Sequence, residues 1–282
     1  MLTSVILPSR NEPYLNETIR DVLAKASGEI EVLPVIDETK PFSLVEDVRV
    51  RYLHLPECVG HGKRQCMNWG AAHAHGYYLF FLDAHCMVAE GFDEALIADM
   101  DDDWIVTPRR YKLDPEKWEI YDDGKGPVDY MYVCYPPRNP NKPAPDGFPW
   151  RARAEERQRI LVDDDMVNQG SACFMTAGHY KRMGFMDHIG YGGNFQEAQE
   201  TCFKTWLSGG RVVVNKKTWY AHWRKKHRGW DKDNEEVARG LAYSCDFWLN
   251  NRWEQRQYDF EWLIDKFAPV PTWPKDWSGW RG

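Results

Sequence analysis

The sequence predicts an α/β fold in which a mixed, mostly parallel sheet is flanked by helices. Short apolar segments alternate with helical patterns through the first third of the chain, which is typical of doubly wound sheets. Acidic residues follow two of the predicted strands, at the positions where such sheets bind ligands. The length of 282 residues suits one large domain with a C-terminal addition.

The predicted elements follow in a regular order. We expect strands at residues 4–7, 30–36, 48–55, 77–82, 160–167, 171–176 and 211–214. We expect helices at residues 15–25, 61–75 and 195–207, and a helical pattern over 234–267. The predicted ends of the second and fourth strands place Asp37 and Asp83 at the carboxyl edge of the sheet.

Two predicted domains divide the chain. Residues 1–230 form the α/β domain, and residues 231–282 form a helical, Trp-rich C-terminal extension packed on it. Residues 111–153 are rich in Pro, Asp, Gly and aromatic side chains, and we interpret them as an irregular insertion, either a long loop or a β-excursion. Long loops within a domain are commonly functional, as lids or binding loops.

Composition limits the class of protein. The net charge of −7 argues against a generally basic, nucleic-acid-binding surface. Seven cysteines without a CxxC pair argue against a disulfide framework or a zinc ribbon. The sequence has neither a signal-peptide pattern nor an apolar run of the ~18 residues that a membrane helix needs. We therefore expect a reduced, cytoplasmic protein without a membrane span.

The strongest local motif is the apolar run that ends in Asp83-Ala84-His85. A carboxylate and an imidazole two residues apart at a strand end can both turn toward one ion. Carboxylate oxygen and imidazole nitrogen together suit Mn²⁺ or a similar divalent metal. The alternative is an ordinary strand-end turn in which Asp83 caps a helix.

Several segments together resemble the GT-A glycosyltransferases of family 2. SVILPSRNE at 4–12, VIDE at 35–38, GHGKRQCMNWG at 60–70 and FFLDAH at 80–85 follow the order and spacing of that family. GSACF at 170–174, GFMD at 184–187, GGNFQEAQE at 192–200 and WYAH at 219–222 extend the resemblance over about residues 3–225. The pattern is similar in particular to the catalytic domains of polypeptide N-acetylgalactosaminyltransferases, whose metal motif is also DxH.

The resemblance implies a metal-dependent transfer of a sugar from a nucleotide-diphosphate sugar to a hydroxyl. The donor would be a UDP-sugar carrying a hexose or N-acetylhexosamine, and the metal Mn²⁺, with Mg²⁺ as the alternative. Asp83, His85 and His222 would hold the metal, with His227 as the alternative to His222. The implied donor-binding residues are Arg10, Glu12, Asp37, Lys63, Arg64 and Asp83.

The implied acceptor-side residue is a glutamate, but two candidates compete for the role. The Gly-Gly loop carries a few more residues than the family pattern, so either Glu197 or Glu200 matches the functional position. Tyr191 also stands where the family has Trp, and the chain has no lectin module. A carboxylate near the acceptor hydroxyl would remove its proton in an inverting enzyme, or orient the substrate in a retaining one.

The sequence leaves the function of one further segment, residues 215–230, open. The segment is both basic and aromatic, so it could bind a polyanion or close as a flexible lid over the donor diphosphate. The negative net charge favours the lid. The acceptor could be a peptide, a glycan or a modified nucleic-acid base. A nucleotidyltransferase and a non-catalytic nucleic-acid-binding protein remain alternatives, although the first strand lacks a Gly-rich phosphate loop.

Overall fold

The computed structural model describes residues 1–38, 43–59, 61–134, 145–225 and 234–274, which form a mixed α/β fold. Its strands are β1 (Thr3–Ser9), β2 (Ile30–Ile36), β3 (Leu53–His54), β4 (Tyr78–Leu82), β5 (Cys86–Val88), β6 (Trp104–Asp114), β7 (Glu119–Tyr121), β8 (Met131–Val133), β9 (Gly147–Pro149), β10 (Val162–Asp164), β11 (Ala172–Thr176) and β12 (Arg211–His222). Its helices are α1 (Leu15–Lys25), α2 (Lys63–His73), α3 (Phe92–Ile97), α4 (Arg151–Glu156), α5 (Ala177–Arg182), α6 (His188–Tyr191), α7 (Glu197–Leu207), α8 (Asn234–Leu249) and α9 (Phe260–Phe267).

The main sheet has the order β10-β12-β6-β11-β4-β1-β2-β3 among the described residues, with β5 beside β12 and β7 beside β6. Strands β4, β1, β2 and β3 are neighbours and run parallel. Strands β6 and β12 form a second parallel pair, and β11 lies antiparallel between β6 and β4. The predicted α/β class with a parallel strand core is confirmed.

The parallel strands are buried on both faces, which explains their continuous apolar sequences. Neighbouring side chains of β1 point to opposite sides of the sheet. Val5 packs in one core with Ile19 of α1, whereas Ile6 packs in the other with Met67 of α2. Helices therefore cover both faces, and the carboxyl ends of β1, β2 and β4 open toward the same edge.

Strand β3 is shorter than the predicted strand at 48–55. Only Leu53 and His54 pair continuously with β2, and Val50 makes an isolated bridge to Val32. Val48 is fully exposed. The edge position of β3 leaves it one neighbour for pairing, so an apolar pattern there does not by itself extend the strand.

Strand β12 is longer than the predicted strand at 211–214. After a register shift between Asn215 and Trp219, it continues along β6 to His222 and also pairs with β5. Residues 215–222 are therefore part of the sheet, which corrects the expectation of a flexible lid over that stretch. The rest of the predicted lid is described only to residue 225, and His227 lies outside the described residues.

The stretch at 111–153 contains regular structure, in agreement with the β-excursion rather than a long loop. It holds the end of β6, strand β7 and the small β8–β9 sheet, while residues 135–144 lie outside the described residues.

The C-terminal helices pack on the same core as the sheet. Trp248 of α8 and Leu263 of α9 belong to the cluster that contains Met67. Gly240 of α8 allows a close approach, because a Cβ atom there would lie 2.2 Å from the carbonyl oxygen of Tyr191. The boundary at residue 230 stays a prediction and falls outside the described residues. No described helix has the length and apolar character needed to span a bilayer.

Candidate active site

A cleft of about 590 Å³ lies at the carboxyl edge of the parallel strands. Its walls come from the loops after β1, β2 and β4, the start of α2, the loop before α7, the end of β12 and one face of α8. Most of the predicted site residues line it: Arg10, Glu12, Asp37, Lys63, Asp83, His85, Glu197 and His222. Edges of this kind are the usual ligand sites of open α/β sheets.

Asp83, His85 and His222 converge in this cleft. The two Nε2 atoms of the histidines are 3.1 Å apart, and Nε2 of His222 is 3.2 Å from Oδ2 of Asp83. Asp83 follows β4 directly, and His222 is brought to it because β12 pairs with β5, placing His222 opposite Cys86. The strand pairing thus joins residues that are 139 positions apart in sequence.

The donor set of this cluster fits a divalent metal. One carboxylate oxygen and two imidazole nitrogens lie within 4.8 Å of one another, with the chemistry that Mn²⁺ accepts. Burial lowers the pKa of His222 to about 4, although its hydrogen bond to the Asp83 carboxylate acts in the opposite direction, so the ring is neutral at physiological pH. Burial would raise the pKa of Asp83, but Lys63 and the two imidazoles hold it well below its usual range. A neutral imidazole and an ionised carboxylate are the metal-binding forms.

Lys63, the first residue of α2, lies against the candidate metal-binding residues Asp83, His85 and His222. Its Nζ donates to Oδ1 of Asp83 at 2.5 Å and to the carbonyl oxygen of Gly170 at 2.6 Å. Burial would lower the pKa of Lys63, but the charges of Asp83 and Glu197 raise it, so the ammonium stays protonated. Lys63 is therefore a fixed positive charge on the floor of the cleft.

Asp37 borders the cleft and holds the loop that precedes α2. Its Oδ2 accepts from the backbone N–H of Gly62 at 2.9 Å, and its Oδ1 lies 2.8 Å from Nδ1 of His61. Arg10 pairs with Glu38 and lies 3.9 Å from Asp37. Gly62 has φ of 111°, and a Cβ there would meet the Gly193 carbonyl oxygen at 2.4 Å, so this contact between two loops requires glycine.

Arg64 and Glu200 do not line the described part of the cleft, contrary to expectation. They form an ion pair whose side chains are 0% and 1% exposed. Arg64 also donates to the carbonyl oxygen of Phe195, and Glu200 accepts from Nζ of Lys204 at 2.7 Å and from the backbone N–H of Asp187 at 2.9 Å. Both side chains bond to other protein groups, so the pair supports the loop before α7 from the core side.

Of the two candidate acceptor-side glutamates, Glu197 is the one that lines the cleft. It begins α7, and its Oε1 accepts from the backbone N–H of Phe195 at 2.8 Å. Phe195 and Gln196 both have positive φ, which turns the chain sharply into the helix. The structure thus separates the two candidates, because Glu197 faces the cleft and Glu200 faces the core.

Three cations of the cleft wall, Arg110, Arg224 and Lys225, were not among the predicted site residues. Arg110 projects from β6 and hydrogen-bonds to Gln169, and none of the described carboxylates lies within ion-pair distance of it. Lys225, three residues after His222, forms an ion pair with Glu12. Arg110 belongs to no motif, whereas Lys225 lies in the basic segment 215–230. The pairing of β6 with β12 places Arg110 opposite Tyr220, near His222.

A comparison with protein families decides the assignment. The profile of glycosyl transferase family 2 matches residues 4–170, which is more than half of the chain. The chain belongs to glycosyl transferase family 2. This membership does not favour the nucleotidyltransferase or the non-catalytic nucleic-acid-binding protein.

One curated relative is a putative polypeptide N-acetylgalactosaminyltransferase 13 from Drosophila melanogaster. It is 27% identical over 158 residues, which cover 52% of this chain and 25% of the relative. This chain therefore spans only about a quarter of that protein in the match.

Solved structures of low identity share the fold of this family member. GalNAc-T7, determined with UDP, GalNAc and Mn²⁺, superposes with a TM-score of 0.75 at 20% identity, covering 98% of this chain and 59% of that one. Staphylococcus aureus TarS 1–349 with UDP-GlcNAc gives a TM-score of 0.55 at 14% identity, covering 93% and 69%. The predicted GT-A fold is confirmed.

Proposed function

We propose that this family 2 protein transfers a hexose or N-acetylhexosamine from a UDP-sugar to an acceptor hydroxyl with the help of a bound divalent metal. The observation that carries the proposal is the convergence of Asp83, His85 and His222 on one point in the cleft floor. The UDP and Mn²⁺ of the GalNAc-T7 structure and the UDP-GlcNAc of the TarS structure support the choice of donor.

The metal would be held by the carboxylate of Asp83 and the Nε2 atoms of His85 and His222. Two imidazole ligands favour Mn²⁺ over Mg²⁺, which prefers oxygen. When bound, the ion supplies Lewis-acid charge that offsets the diphosphate of the leaving group.

The remaining cations of the cleft would bind the donor phosphates. Lys63 is fixed beside the metal cluster, and Arg110 carries a guanidinium that no described carboxylate neutralises. Arg is suited to bidentate phosphate recognition and Lys to a point charge. We assign a phosphate-binding role to Arg110 rather than to Arg64, which the resemblance implied as a donor-binding residue, because Glu200 balances the charge of Arg64 in the core. Asp37 would border the nucleoside.

Glu197 would act on the acceptor side. Its carboxylate lies on the cleft wall at the start of α7, near enough to Lys63 to influence the lysine pKa. A carboxylate in hydrogen-bond reach of the acceptor hydroxyl can orient it and accept its proton.

A donor screen tests this proposal. The protein is incubated with Mn²⁺ and a panel of UDP-hexoses and UDP-N-acetylhexosamines, and released UDP is measured with and without EDTA. We expect slow hydrolysis of at least one donor, abolished by EDTA. UDP release that is insensitive to EDTA would contradict the metal-dependent mechanism.

A further inference from the structure

Glu12 connects His85 of the proposed metal site to the segment that follows His222. One carboxylate oxygen, Oε2, lies 2.9 Å from Nδ1 of His85, and the other, Oε1, forms an ion pair with Nζ of Lys225. The three side chains are only 10%, 9% and 12% exposed. Both carboxylate oxygens of Glu12 therefore already have protein partners, which competes with the direct contact to the donor that the resemblance implied.

The contact between Glu12 and His85 fixes which imidazole nitrogen faces the metal site. With Nδ1–H donating to the carboxylate, Nε2 is left with its lone pair directed toward His222 and Asp83. A carboxylate behind a metal-binding histidine orients the ring and makes its free nitrogen more basic.

The segment Trp223–Lys225 packs over the same histidine. The backbone N–H of Trp223 donates to the carbonyl oxygen of His85 at 3.2 Å. The Trp223 ring meets Tyr14 edge-on at 5.0 Å and the imidazole of His85 at 6.0 Å. Glu12 therefore contacts both Lys225 and His85, and it is the one described ion-pair partner of Lys225.

We infer that Glu12 is a positioning residue with two tasks: it orients His85 for the metal, and it holds the segment Trp223–Lys225 against the cleft. The inference rests on the proposed metal-dependent function. The same carboxylate serves both groups, so its loss would weaken metal binding and loosen the segment together.

Calorimetric titration of metal-free protein with Mn²⁺, without nucleotide, tests the first task. We expect Glu12→Gln to raise the Kd for Mn²⁺ by about 10- to 100-fold, as the loss of a carboxylate behind a histidine ligand commonly does. Glu90→Gln makes the same chemical change at an exposed position and should bind as the wild type does. Circular dichroism confirms that both variants are folded.

Limited tryptic digestion tests the second task, because Arg224 and Lys225 provide cleavage sites within the segment. We expect cleavage after Arg224 to be faster in Glu12→Gln and in Lys225→Met than in the wild type. Lys225→Met keeps Oε2 of Glu12 on His85, so its Mn²⁺ affinity should change by less than that of Glu12→Gln.

The outcomes separate this inference from the proposed function. If the wild type binds Mn²⁺ and Glu12→Gln binds it equally well, or if digestion after Arg224 is unchanged in both variants, the positioning role is wrong. If the wild type itself binds no Mn²⁺, the proposed metal site fails and the inference fails with it.

Discussion

Two groups of polar side chains near the start of α2 differ in how fully their hydrogen bonds are made. The core group is Arg64, Glu200 and Lys204, and the cleft group is Asp83, His85 and His222. In the core group, Arg64 bonds to Glu200 and the Phe195 carbonyl, and Glu200 also accepts from Lys204. In the cleft group, two imidazole nitrogens face each other at 3.1 Å, and the buried Nδ1 of His222 has no partner among the described residues.

The difference shows that residue type alone does not separate a ligand site from a scaffold. Neighbouring residues Lys63 and Arg64 have equal charge, yet one enters the cleft and the other the core. A group whose bonds are already made by protein stabilises the fold, whereas facing nitrogens and a guanidinium without a described carboxylate partner have capacity left for a ligand.

The largest expected effect falls on the core group. Glu200→Gln should lower the free energy of unfolding by about 3–5 kcal/mol, because it leaves Arg64 and Lys204 charged and buried without their carboxylate. Urea unfolding measures the change, with the exposed Glu116→Gln as a control near the wild-type value. A loss below about 1 kcal/mol, the range of a surface pair, would show that Glu200 is not a scaffold residue.

Lowering the pH should reduce the free energy of unfolding through the buried His179. Its Nε2 lies 2.8 Å from Oγ1 of Thr205. Burial, helped by the charge of Arg182, lowers its pKa from 6.5 to about 4. The unfolded chain therefore takes up the proton first, so this stability is complete above about pH 6.5 and lost between pH 6.5 and 4.

His179→Gln measures that contribution. Between pH 7 and 4.5, its unfolding free energy should fall by about 2 kcal/mol less than that of the wild type, the size that such a pKa difference gives. The exposed His54→Gln should keep the wild-type pH profile. Parallel profiles for wild type and His179→Gln would count against a buried neutral histidine.

In the cleft, Glu197→Gln should lower activity and leave stability nearly unchanged, whereas Glu200→Gln should lower stability. Sugar transfer should fall by about 100-fold or more, because the carboxylate proposed to accept the acceptor proton is replaced by a neutral amide. The unfolding free energy should change by less than about 1 kcal/mol, within the range of substitutions outside the core. Steady-state kinetics and urea unfolding are measured on the same preparation, and unchanged turnover would remove Glu197 from the acceptor site.

The smallest expected effect is at Arg110. Arg110→Met should weaken UDP binding by about tenfold, which corresponds to the loss of one charge-assisted contact to phosphate. Because the guanidinium has no described carboxylate partner, the fold should lose little stability. Uridine, which lacks the diphosphate, should bind the variant and the wild type equally, and a similar loss for uridine would move Arg110 away from the phosphates.

The sequence predicted the parallel core well because those strands are buried on both faces. The bounds of β2 and α1 agree with the predictions, and Asp37 and Asp83 lie at the strand ends as expected. The extension of β12 to His222 was missed, because Lys216 and Lys217 interrupt its apolar pattern. Its pairing with β6 and β5, which depends on tertiary structure, holds it in the sheet.

The charged residues were harder to place than the strands. A charge in a helix pattern usually indicates an exposed face, so neither the burial of Arg64 and Glu200 nor the choice of Glu197 could be derived from spacing. Arg110 lies outside every motif and Lys225 lies in the basic segment 215–230, and the partner of each is far away in sequence.

Calorimetric titration with UDP tests the central claim, that the cluster of Asp83, His85 and His222 is a metal site for the donor. The wild type should bind UDP with Mn²⁺ present and lose binding with EDTA. Asp83→Asn should bind at least about 100-fold more weakly, since it removes a charged ligand of the metal. Equal UDP binding by wild type with Mn²⁺, wild type with EDTA and Asp83→Asn would contradict the account.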